Sequence, residues 1–143
     1  MIDLMPGINS TSAALDAERT RMDVVSQNIA NADTTRGLDG KPYQRQQVVF
    51  ESVLNAQQAL GEPGSSAQAV QIARIEKDTR PPRMVYNPGH PDADAQGMVA
   101  MPDINIHEEM VDMITSSRAF EANLAVVKNS RTMAMQALSI GKH

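Results

Sequence analysis

Apolar residues recur at alternating three- and four-residue steps at both ends of the chain. Towards the C-terminus they fall at Ile106, Met110, Met113, Phe120, Leu124, Val127, Ala134 and Leu138, with Ser117 and Arg131 as the polar positions of the same row. No Pro or Gly interrupts Asn105 to Ile140, so the repeat predicts one helix over that span with a heptad seam along it. Its ends are marked by Pro102 upstream, by Asn105 and Glu108 as a capping-box pair, and by Gly141 as a left-handed stop. Such a helix is about 50 Å long at 1.5 Å per residue, more than a domain of this size needs to cover its own core. It has to find partners along its length.

Near the N-terminus, Met1, Leu4, Ile8, Thr11, Leu15, Glu18, Met22, Val25, Ile29 and Ala32 follow the same steps. They predict an amphipathic helix from about Ser10 to Ala32, with Asn9, Ser10 or Ser12 as cap. One such stretch alone reads as a helix lying on a globular core. Two matching seams favour an antiparallel coiled coil of the terminal helices. Setting the polar positions Glu18 and Arg131 opposite one another puts Met22 near Val127, Val25 near Leu124 and Ile29 near Phe120.

Between the helices the pattern changes. Asn28, Asn31, Asp33, Gly37, Asp39, Gly40 and Pro42 crowd into a structured turn. Alternation predicts strands at Tyr43 to Phe50 and around Val70, Ile72 and Ile75, a loop over Gly61 to Gln68, and a short strand at Met98 to Met101. Glu51 to Leu60 reads as helical or irregular. Pro81, Pro82, Pro88 and Pro91 predict an extended run without ladders over Thr79 to Gly97. The expected fold is mainly α: an N-terminal helix unit over 1–36, a small β-rich insert over 37–102 and a C-terminal helix unit over 103–143.

Composition narrows what this architecture can do. Two Phe, two Tyr and no Trp leave few large side chains for a core, while 10 Met suit helix packing. A formal net charge of −4 without a basic run argues against nucleic-acid binding, which needs basic surface to displace counterions. The absence of Cys removes disulfides, thiolate metal sites and a Cys nucleophile. The start has no basic region followed by an apolar one, and no apolar run reaches the roughly 18 residues of a membrane span. No cleavable signal and no membrane insertion are expected.

Candidate chemistry is sparse. Asp92, Asp94, Gln96, Gly97 and Asp103 fall at positions of a calcium loop, which makes a small calcium-binding module the rival function. The context is poor, because Pro88 and Pro91 block an entering helix, Pro102 sits inside the loop and a shorter Asp stands where a bidentate Glu is usual. His107 and Glu108 begin like a zincin helix, but Val111 stands where the second His belongs. No catalytic residue, metal, cofactor or small-molecule substrate is expected.

The stretch "MDVVSQNIANADTTRG" and the stretch "INIHEEMVDMITSSRAFEANLAVVKNSRTMAMQAL" resemble the N- and C-terminal signatures of bacterial flagellar basal-body rod and hook proteins. "GKPYQRQQVVF" and "YNPGHPDADAQGMVAMPDINI" are similar to the insert of the proximal-rod members. The resemblance implies a structural subunit of the periplasmic rod, with terminal helices paired as an inner coiled coil, subunits stacked helically and export through the flagellar type III apparatus. Its partners would be further copies and other rod proteins, and the alternative within the same class is another rod or hook-type axial component. It also implies that Asn28 and Asn31 shape the turn and that Glu109, Arg118, Glu121 and Asn123 mark the C-terminal motif. Phe120 departs from the more usual Tyr.

The assembly seam expected on these grounds comprises Ile8, Leu15, Met22, Val25, Ile29, Ile106, Met110, Met113, Phe120, Leu124, Val127 and Leu138. A lone helix pair buries about one face per helix against roughly 1–2 kcal/mol of backbone entropy per ordered residue. An isolated subunit is therefore expected to order its terminal helices only on assembly.

Overall fold

A computed structural model of the chain describes residues 5–54 and 68–140. Met1, Leu4, Gly141, residues 61–67 of the expected loop and 55–60 of the ambiguous stretch lie outside the described residues, whereas Gln68, expected to close the loop, is in a strand. The chain forms two long helices and two small antiparallel sheets.

Helix α1 spans Met5–Ala30, starting before the expected Ser10. Pro6 and Gly7 lie in its first turn and do not precede it, which proline tolerates because the first N–H groups of a helix have no intrahelical acceptor. At the other end Asn31 N–H still bonds the Gln27 carbonyl at 3.0 Å, Ala32 N–H tightens onto Ile29 at 3.2 Å and Thr34 N–H returns to Asn31 at 3.1 Å. The crowded Asn and Asp residues thus form the ordered turn their backbone preferences imply.

Strand β1, Gln46–Leu54, pairs with β2, Gln68–Lys77, placing Val48 opposite Ile75 and Phe50 opposite Ile72, with Ala73 the extra residue of a bulge. The ladder starts later than expected because Tyr43 and Arg45 are drawn into contacts with the helices, and it runs on through Glu51 to Leu54. The proline-rich run also departs from expectation. Pro82 and Pro88 flank a four-residue strand β3, Arg83–Tyr86, which pairs with β4, Met98–Met101. Prolines outside the ladder withdraw no N–H from it.

The turn joining β3 to β4 explains the calcium-like pattern. Asp94 Oδ1 accepts the N–H groups of Gln96 and Met98 at 2.9 and 2.8 Å, while Asp92 accepts the Thr35 hydroxyl at 2.8 Å and meets Arg36 at 3.6 Å. These carboxylates shape the loop and tie it to the turn after α1. Gly97 has φ +77°, and a Cβ there would lie 3.0 Å from the Tyr86 ring and 3.2 Å from Pro88.

Helix α2 spans Ile106–Ile140. Asn105 caps it by accepting the His107 N–H at 3.1 Å, and its amide donates to Glu108 at 3.0 Å. Helix α1 lies between α2 on one side and the β1–β2 ribbon on the other, whereas β3–β4 packs on no other described element.

Contacts of Asn28 with Glu109 and of Arg21 with Asp112 make the helices antiparallel. This register corrects the expected one. It places Glu18 beside Ser116 to Ala119, more than three turns and roughly 18 Å along the axis from Arg131. Met22, Val25 and Ile29 accordingly do not face Val127, Leu124 and Phe120.

Substituting Gly97 with Ala combines left-handed backbone with two close contacts. We expect a loss of about 1–2 kcal/mol in denaturant unfolding, and an unchanged midpoint would contradict this reading of the turn.

Candidate functional site

The region where α1 ends, β1 begins and α2 starts is polar and almost dry. Asn28 is 1% exposed and Glu109 0%. Asn28 Nδ2 donates to the Glu109 Oε2 at 2.9 Å and to the Gln46 carbonyl at 2.8 Å; its Oδ1 accepts the Gln46 N–H at 2.9 Å and the Tyr43 hydroxyl at 3.0 Å. Both amide hydrogens and both acceptor positions are therefore used.

Glu109 needs a charge partner to be buried, and Arg45 supplies it through Nε to Oε1 at 2.6 Å. The Arg45 guanidinium also lies 3.8 Å from Asp112, which meets Arg21 at 3.4 Å. Two carboxylates and two guanidinium groups thus alternate across three segments with no net charge. Asn31 supports the hub from one turn on, its amide donating to the Gln27 carbonyl at 2.8 Å and its Oδ1 accepting the Thr34 hydroxyl at 3.2 Å.

Burial and then the Glu109 charge push the Tyr43 phenol above its ordinary value. The fold favours the neutral phenol, which can donate to Asn28; the phenolate cannot and would be repelled by Glu109. This contribution to stability is intact below the unfolded value of about 10 and is lost as pH rises through the raised folded value.

Beyond the hub, the side of α2 turned towards α1 differs from the expected seam. Half-buried Asp112, Ser117 and Ala119 flank a row that is buried or half-buried throughout: Glu109, Met113, Ser116, Phe120, Asn123, Val127, Ser130 and Ala134. Every second one is polar, at a strict seven-residue interval from Glu109 to Ser130. Of the expected seam, Val25 is buried, while Ile8, Leu15, Met22, Ile29, Met113, Phe120 and Val127 are half-buried. Ile106, Met110, Leu124 and Leu138 instead lie outward, Leu124 at 52% and Leu138 at 73% exposure. At about 100° per residue Ile114 falls on the same flank as Met110, Leu124 and Leu138, while exposed Val126 and Met133 fall on the opposite flank, so large apolar side chains on both sides of the inward row are left uncovered by their own chain.

The residues marked by resemblance separate into two groups. Asn28 and Glu109 are bonded to each other, with Asn31 adjacent and Asn123 on the inward side. Arg118 and Glu121 are exposed and make no hydrogen bond or ion pair among the described residues. Sequence reasoning missed Tyr43, Arg45, Asp112 and Ser116. The polar heptad of Glu109, Ser116, Asn123 and Ser130 was the available signal for the true inward side.

The family described as "Flagella basal body rod protein" matches residues 8–36, and "Flagellar basal body rod FlgEFG protein C-terminal" matches residues 95–140. These two segments supply α1 with its turn and β4 with α2, the two sides of the hub, and they define the class as flagellar basal-body rod proteins. Among full-length relatives, "Flagellar basal-body rod protein FlgC" of Borreliella burgdorferi is 43% identical, over 96% of this chain and 97% of that protein. The FlgC proteins of Bacillus subtilis, at 40% over 94% and 96%, and Yersinia enterocolitica, at 38% over 91% and 92%, agree. The chain belongs to the FlgC family of flagellar basal-body rod proteins, a structural family without enzymatic function.

Replacing Tyr43 with Phe removes one of the two donors to Asn28 Oδ1. We expect a loss of about 1 kcal/mol near neutral pH and a shallower decline in stability above pH 10 than in the parent protein. Urea titrations across that range measure both, and identical alkaline slopes would contradict the assignment.

Proposed function

We propose that the chain is a subunit of the proximal rod that polymerises helically through its terminal helices into a torque-transmitting shaft. One observation carries this reading: α2 turns its polar heptad towards its own α1 and leaves Met110, Ile114, Leu124, Val126, Met133 and Leu138 to the outside. Large apolar side chains left exposed on both flanks of a long helix are favourable only when other surfaces cover them. Heterologous contacts that repeat without closing generate a helical array, and axially aligned helices give it stiffness.

In this reading residues 1–36 and 103–143 form the inner helical layer and residues 37–102 an outer insert. Ile8, Leu15, Met22, Val25 and Ile29 line the α1 side of the seam, with Ile106, Met110, Met113, Phe120, Leu124, Val127 and Leu138 on the α2 side. Coiled-coil packing belongs to the assembled state, where neighbouring helices complete it. Arg118 and Glu121 are free to pair between subunits. The partners are further copies and other rod proteins in the periplasm, reached through the flagellar type III export apparatus. A fold whose buried apolar residues among those described are Ala17, Val24, Val25, Ala32, Val99 and Pro102 offers little resistance to unfolding for such passage.

Substituting Leu124 with Glu tests the proposal. Because the side chain is outward, the monomer should keep its stability to within about 0.5 kcal/mol, while motility and incorporation into purified basal bodies should fall to background. Normal motility with the variant in the rod would contradict the proposal.

A further inference from the structure

Burial along the helix pair stops abruptly. In α1 the buried residues are Ala17, Val24, Val25 and Asn28, and no described side chain before Ala17 is buried. In α2 they are Glu109 and Ser116 alone, and none follows over the remaining turns to Ile140. Among the described elements α1 has α2 on one side and the β1–β2 ribbon on the other, while α2 has only α1 beside it.

At the boundary sit two polar atoms without partners. Ser116 is 1% exposed, and neither its hydroxyl nor the buried Glu18 Oε2 makes a hydrogen bond among the described residues. The register set by Arg21 with Asp112 and Asn28 with Glu109 brings Glu18 to the turn of Ser116 to Ala119. A helix serine commonly bonds the carbonyl four residues back, as Thr115 does to Val111 at 2.8 Å, but Ser116 does not. Closing the helices over these two groups therefore removes them from water without compensation, just where full burial along the pair ends.

We propose that Glu18 and Ser116 form a fork at which the chain's own helices, side by side in the structure, part readily beyond the hub. The isolated subunit is then half-paired: residues 21–32 and 105–113 are held together, while the distal parts of both helices come free for helices of other copies. This refines the expectation that both terminal segments order only on assembly. Its purpose rests on the rod-subunit reading; the existence of the fork does not.

Hydrogen exchange on the full-length monomer tests it. Amides of 109–116 should be protected about 100-fold more than those of 120–135. Ser116→Ala removes the buried hydroxyl and should raise protection over 117–127 about tenfold, with the hub amides unchanged. Ser117→Ala, a neighbouring control with the same gain in helix propensity, should change it less than about threefold. Uniform protection from Ile106 to Ile140 in the parent protein, or equal effects of the two serine variants, would overturn the fork. Either result would leave the rod reading to stand on the Leu124 test, and normal motility of that variant would conversely leave the fork in place.

Discussion

The hydrogen bond between the Asn28 amide and the Glu109 carboxylate joins residues 81 positions apart, and the remaining architecture depends on it. It fixes which turn of α1 meets which turn of α2. Through the Gln46 backbone and Arg45 it also fixes where the ribbon leaves the helix pair. Apolar packing alone would define this poorly. A heptad seam repeats, so sliding one helix by a heptad brings apolar residues opposite apolar residues again. A buried carboxylate that needs both a guanidinium and a carboxamide can be satisfied in only one alignment. Such a hub stabilises less than an apolar core of equal volume would. What it contributes is register, and with it a defined geometry for whatever the outward flanks of α2 meet.

Seen this way, α2 divides its chemistry by face. The inward edge spends every second position on Glu109, Ser116, Asn123 or Ser130, small or polar residues that allow close approach but add little burial. Outside that edge, Met110, Ile114, Leu124 and Leu138 on one flank and Val126 and Met133 on the other are large apolar groups left exposed. A self-sufficient domain would be arranged the other way round. A subunit whose stability is completed by its neighbours is arranged like this one, because association then supplies the apolar burial that ordering the distal helices requires.

Much of this was legible before any coordinates. Unbroken runs, a capping Asn105 and Pro102 located α2, and the Asn-rich turn was correctly placed after α1. The resemblance singled out Asn28 and Glu109 without saying that they touch. Register and facing were not legible, because an apolar row read at heptad steps is shared by the inward and outward sides of a helix at Met113, Phe120, Val127 and Ala134. Only the polar residues between them distinguish the two sides. Strand β3 was missed for a related reason: the prolines were weighed as breakers of the whole run, although a four-residue ladder fits between Pro82 and Pro88. Arg45 and Tyr43 looked like strand residues because their partners lie on helices far away in sequence.

The central claim is that Asn28 and Glu109 act as one lock, and a double-mutant cycle measures it most directly. Stabilities of the parent protein, Asn28→Ala, Glu109→Ala and the double variant, obtained by denaturant unfolding of the monomer, isolate their coupling. The account predicts an interaction of about 1–3 kcal/mol, with the double variant losing much less than the sum of the single losses. Additivity to within about 0.3 kcal/mol would mean that the two residues are independent, and that the register of the helix pair is set elsewhere.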